Sequence, residues 1–171
     1  MKNRLLVCLL LLASLSCKNE SNTSPGAEGS AQAPQKVLPA PKPIPNTQEA
    51  QLLLRDYWVF EFYIVPGNRE QTQFNRGKWY LFNGDGTFTA GHWQDYTTKG
   101  VWTLFYGNDY PVIHVIAEND ELTGEYQIQG VSGDTEYMSW VGTDRYGQKG
   151  FAAKVMNLLS TPTRQQFGVE Q

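Results

Sequence analysis

No Phe, Trp or Tyr occurs before Tyr57; all five Trp, nine Tyr and eight Phe lie at or beyond it. A core needs apolar bulk, so whatever folds here is confined to about residues 47–171, one aromatic-rich domain near the minimum size for a full barrel. From Lys18 to about Asn46 the chain instead carries Ser21, Ser24, Gly26, Gly29 and Ser30, then Pro34, Pro39, Pro41, Pro43 and Pro45. Such a stretch buries too little apolar surface to offset its ordering entropy, and residues 17–46 are expected to form a disordered tether. Extended at about 3.1 Å per residue it reaches roughly 90 Å, and as a coil nearer 30 Å.

Ahead of the tether, Lys2 and Arg4 precede an apolar run from Leu5 to Leu12, and Ala13-Ser14-Leu15-Ser16 leads to Cys17. Two positive charges, a short apolar run and small residues fit a secretory signal over residues 1–16. The run is far shorter than the ~20 residues that span a bilayer. A cysteine straight after that segment resembles the lipobox of bacterial lipoproteins, with Ser14 and Leu15 where a leucine and a small residue are usual. Lipid on Cys17 would anchor the chain to a membrane; the alternative is an ordinary signal peptide, which leaves Cys17 a free thiol. Lys18 is not the aspartate that often retains lipoproteins at an inner membrane, which points to the outer one. Cys8 is the other cysteine and falls in the signal. With Cys17 lipidated the mature domain has no thiol, which excludes disulfides, cysteine metal sites and thiol catalysis. The net charge of −3 comes with scattered Lys and Arg, and without a basic stripe nucleic-acid binding is not expected.

Within the domain, Thr47 is placed to cap a short helix through Leu54. Period-2 patterns and turn residues follow. Trp58, Phe60, Phe62 and Ile64 alternate with Val59, Glu61 and Tyr63, and Pro66-Gly67-Asn68 ends the run. Strands are expected at Lys78–Phe82, Thr87–Trp93, Gly100–Tyr106, Val112–Ala117, Tyr126–Gln129 and Tyr137–Gly142, and Asn83-Gly84-Asp85-Gly86 holds strong hairpin dipeptides. Phe151 to Met156 reads equally as an eighth strand or as a helix, since Phe151, Val155, Leu158 and Leu159 fall at helical spacing and Pro162 would stop a helix. The fold class is all-β, an antiparallel barrel or sandwich.

No chemistry-bearing set stands out. His92 lies near Asp95 in sequence and His114 near Glu118, but a metal shell needs three or four ligands, and rim or surface histidines are the expected reading. Ser132 and Ser139 lack a nucleophile-elbow context, Asp85 suits a turn, and Asp120, Glu121, Asp134 and Glu136 read as loop charges. No enzyme activity and no cofactor are expected. Phe74, Trp93, Tyr96, Tyr106 and Tyr110 fall in or beside loops, either as a protein-binding rim at one end or folded back over a barrel mouth.

Trp58, the run Phe82-Asn83-Gly84-Asp85-Gly86-Thr87-Phe88, then Gly100-Val101-Trp102-Thr103-Leu104, Tyr126-Gln127-Ile128 and Met138-Ser139-Trp140 together resemble the lipocalin-like lipoproteins of Bacteroidetes-type bacteria, over most of residues 50–145. Asp56-Tyr57-Trp58 lacks the glycine of the true lipocalin first strand, and Thr143-Asp144-Arg145-Tyr146 only partly matches their Thr-Asp-Tyr. The resemblance implies an up-and-down barrel of about eight strands opening to a pocket. The inward side chains would then be Trp58, Phe60, Tyr80, Phe88, Trp102, Leu104, Tyr126, Ile128, Met138 and Trp140. Of these Trp58, Tyr80, Phe88, Trp102, Tyr126, Met138 and Trp140 would line a site for a small apolar or amphipathic ligand. The competing expectation is that these rings fill a narrow barrel, leaving an accessory subunit that binds an envelope protein. A calycin-like enzyme is the third class, and would need a titratable pair inside a cleft.

Overall fold

The computed structural model describes residues 36–169 apart from 133 and 135. The signal segment, Cys17 and most of the stretch read as a tether lie outside the described residues. Among those described, no helix is long and apolar enough to cross a membrane.

Eight strands, β1 (Tyr57–Ile64), β2 (Lys78–Phe82), β3 (Thr87–His92), β4 (Tyr96–Tyr106), β5 (Pro111–Ala117), β6 (Gly124–Val131), β7 (Tyr137–Gly142) and β8 (Ala152–Leu158), form a closed barrel. Each pairs antiparallel with the next in sequence, and β8 returns to β1. The fold is therefore the expected all-β up-and-down barrel, and its closure leaves no sheet edge to invite aggregation. The short helix α1 (Gln48–Leu53) precedes β1, with Thr47 Oγ1 accepting from Ala50 N at 3.4 Å.

Alternating strand direction sorts the connections. The β2–β3, β4–β5 and β6–β7 hairpins share one end, the base, with α1, whose Ala50, Leu52 and Leu53 are buried in the core. At the base the Asn83–Gly86 turn follows its chemistry: Asp85 Oδ1 accepts from Thr87 N at 2.9 Å, and Gly86 takes φ +83°. The mouth, at the other end, carries the remaining connections. There α2 (Arg69–Phe74) bridges β1 to β2, capped by Asn68 Oδ1 accepting from Gln71 N at 3.0 Å. A 3-10 turn over Asp120–Leu122 lies between β5 and β6, and another over Asp144–Tyr146 between β7 and β8.

Two local findings depart from simple patterning. The β1–β8 register shifts between Phe60 and Phe62. One extra residue reverses which face each later side chain meets. Trp58 and Phe60 point inward, whereas beyond the shift Tyr63 is buried at 3 % exposure and Phe62 turns out to 54 %. The ambiguous last segment is a strand: β8 pairs with β7 from Tyr137↔Met156 to Val141↔Ala152 and with β1 along its whole length. Two open edges needing backbone partners outweigh the helical spacing of its apolar residues.

Residues 36–46 form no helix or strand, yet they lie against the barrel as a strap. Lys36 pairs with Asp120 at the mouth. Lys42 backbone oxygen lies 2.6 Å from where a Cβ on Gly86 would stand, at the base, so only glycine admits the strap there. Ile44 then packs against the core beside α1.

Candidate functional site

The barrel axis is occupied by aromatic rings. All ten side chains expected inward are buried in one core cluster, and Trp58, Trp102 and Trp140 are 0 % exposed. They form one another's walls. Near the base Phe82 and Trp102 approach to 4.9 Å between centroids, and Trp102 Nε1 donates to Asn83 O at 3.0 Å. At mid-height Phe60 meets Tyr80, Tyr126 and Trp140 edge-on at 5.8, 6.0 and 5.9 Å. Phe88 packs on Tyr80 at 5.7 Å and Met138 is buried with them. Edge-to-face pairs of this kind each add about 0.5–1.5 kcal/mol beyond area burial. The seven residues read as ligand-lining thus lie together in the interior, in contact with each other. Among the described residues, Trp58 Nε1 and Trp140 Nε1 are buried without a hydrogen-bond partner.

Towards the mouth the filling becomes polar. The Tyr63 and Tyr80 hydroxyls gather at that of Tyr126, which accepts from Gln148 Nε2 at 3.2 Å. Tyr80 Oη donates to Leu122 O at 3.1 Å, and Leu122 itself is fully buried. Burial pushes Tyr126 up to about 12 and raises Tyr63 and Tyr80 as well, so all three phenols stay neutral. Lys78, inward-facing and 5 % exposed, donates from Nζ to Glu121 O at 3.2 Å. Burial pulls its ammonium down to about 8, with Glu121 opposing. Sequence reading missed Lys78; its parity with Tyr80 and Phe82 on β2 was the available signal.

The histidines take separate places. His92 Nε2 lies 2.9 Å from Arg76 O, and burial lowers its pKa. Asp95, its sequence neighbour, is bound by the Arg164 guanidinium. His114 faces Glu125, its register partner on β6, rather than Glu118. Four residues along a strand separate side chains by about 13 Å, too far for the pair read from sequence. His114 Nε2 lies 2.7 Å from Tyr146 Oη. Glu125, 8 % exposed, accepts from Arg145 Nη1 at 2.9 Å and Thr143 Oγ1 at 2.8 Å. This bridge anchors the β7–β8 connection and was not foreseen, because its partners lie about twenty residues apart. Among the described residues no three metal-binding side chains gather.

Asp85, Ser132 and Asp134 serve turns: Ser132 Oγ bonds Asp134 and accepts from Tyr137 N at 3.1 Å. Ser139 is exposed on β7. The five loop aromatics do not share one end. Phe74, Trp93 and Tyr96 belong to the mouth, Tyr106 and Tyr110 to the base hairpin of β4 and β5. Trp93 is buried at φ +50°, its ring 2.4 Å from where a Cβ on Gly77 would stand. Among the described residues, cavities of ≈ 330, 510, 280 and 330 Å³ lie along the outer wall and rim.

In comparisons with known protein families, curated proteins and solved structures, nothing matches this chain. The closed eight-strand antiparallel barrel is compatible with a lipocalin-like fold.

Proposed function

We propose that this chain is a cell-envelope lipoprotein, held to a membrane, the outer one in our reading, by lipid on Cys17. Its lipocalin-like barrel is a non-enzymatic module that binds an envelope protein. The observation that carries the reading is the filled axis: Trp58, Phe60, Tyr80, Phe88, Trp102 and Trp140 are each under 2 % exposed. A carrier barrel instead encloses room for its ligand. Side chains suited to partner contact stand outside, Phe62 and Ile64 on β1 and Tyr106 and Tyr110 at the base hairpin, each at least 39 % exposed. Tyrosine and other aromatics are favoured at interface hot spots.

A second reading, a small apolar or amphipathic ligand inside the barrel, is favoured by the unpartnered indole N–H groups of Trp58 and Trp140. A buried donor left unpaired costs about 1–3 kcal/mol, which an acceptor on a ligand would relieve. Native mass spectrometry of the full chain, extracted from envelopes, separates the two. An apo mass supports the filled module, and a small molecule lost on denaturation but retained when Ile116, on the outer wall, is replaced by Trp overturns it for the carrier. The anchor is tested by Cys17→Ser, which should move the protein from the membrane to the soluble fraction; unchanged fractionation would remove the lipid claim.

A further inference from the structure

The strap and the outer wall of β4 and β5 enclose a cavity of ≈ 330 Å³, and its lining is chemically one-sided. Lys42 from the strap, His114 from β5 and Arg145 from the β7–β8 connection all contribute to it, and among the described residues no carboxylate does. Its other wall is apolar: Val101, Phe105 and Ile116, with Val101 only 7 % exposed although it faces away from the barrel axis. The adjoining cavity on the same wall differs, since Asp120 and Glu121 line it. A few charged groups set beside an apolar wall orient an amphipathic molecule, and the volume lies at the lower end of the range for small-ligand sites, about 300–1,000 Å³.

We propose that this cavity binds a small carboxylate with a flat apolar body, its charge at Lys42 and Arg145 and its body against Val101, Phe105 and Ile116. Lys42 has no carboxylate partner among the described residues. Arg145 is engaged by Glu125, but its side chain remains 55 % exposed, with donors to spare. The electrostatics agree. His114 is held below its ordinary value by burial first, then by Arg145 and Lys42, with Glu125 opposing. Arg145 and Lys42 thus act on the cavity as positive charges, the sign that an anion would meet. This site lies on the outer wall and does not depend on what fills the barrel.

The test uses the full chain in detergent and two probes of equal shape, 4-phenylbutyrate and its neutral amide, with binding followed calorimetrically and the His114 imidazole followed by NMR. The carboxylate should bind at least about tenfold tighter than the amide, and should raise the His114 titration midpoint. Lys42→Gln should remove most of that preference. Ile116→Trp, which fills the cavity from outside the barrel, should abolish binding with the unfolding midpoint retained. Equal binding of acid and amide, no binding of either, or binding that survives Ile116→Trp would each overturn the proposal, the last by placing the probe in the interior.

Discussion

The two ends of the barrel are closed by different chemistry. At the base, α1 presses Ala50, Leu52 and Leu53 onto the rings, the Trp102 indole N–H donates to Asn83 O, and Tyr106 Oη donates to Glu49 on the exposed side of α1. At the mouth, Leu122 is the apolar plug, but it is held by polar bonds: Tyr80 Oη to its carbonyl, Lys78 Nζ to the carbonyl of Glu121, and Gln148 to Tyr126. Apolar closure contributes stability in proportion to area and without regard to pH. Hydrogen-bonded closure with a buried ammonium makes the mouth sensitive to pH and easier to open locally. An up-and-down barrel thus gains a stiff end and an adjustable one from the same alternating strands.

The strongest way to break this contrast is at the base. Trp102→Ala should destabilise the whole domain by about 3–5 kcal/mol in denaturant unfolding; a loss under ~0.5 kcal/mol would mean the ring does not carry the core. Leu122→Ala should cost about 2–4 kcal/mol and, by hydrogen exchange, loosen amides at the mouth more than those at the base. Uniform loss of protection would erase the distinction between the ends. Lys78 supplies the pH signature. Its folded pKa, about 8, lies below its ordinary 10.5, so between those values the unfolded chain binds more protons and stability rises with pH, by on the order of 2 kcal/mol. Above about pH 10 the neutral, buried Tyr63, Tyr80 and Tyr126 reverse the slope, because the unfolded phenols ionise first. Lys78→Met should flatten the rise and leave the fall; a rise that persists would assign it elsewhere. The smallest effect is expected at α2, which buries no residue. Asn68→Ala should cost about 1 kcal/mol, seen as faster exchange confined to Arg69–Phe74.

Much of this could be read along the chain, and the misses share a cause. The β2–β3 hairpin was legible because Asn-Gly and Asp-Gly act through neighbouring backbone alone. The inward residues of β2, β4, β6 and β7 followed from parity. Parity failed on β1, where the shift after Phe60 buried Tyr63 and exposed Phe62. Sequence proximity offers His114 only Glu118, whereas its register partner, Glu125, lies across the sheet. The loop aromatics share a residue type but not an end, because successive connections of an up-and-down barrel fall at opposite ends.

The sequence by itself determined where the domain starts to bury aromatic bulk, that it is built of hairpin-linked strands, and which side chains of β2, β4, β6 and β7 face the core, because turn chemistry and two-residue alternation act over a few bonds. Tertiary structure alone decided that the last apolar segment is a strand, Ala152–Leu158, that a strap runs along the outer wall, and that Lys42, His114 and Arg145 share one cavity. Those outcomes depend on closing the sheet, which brings residues distant in sequence into register and forces every open edge to find a partner.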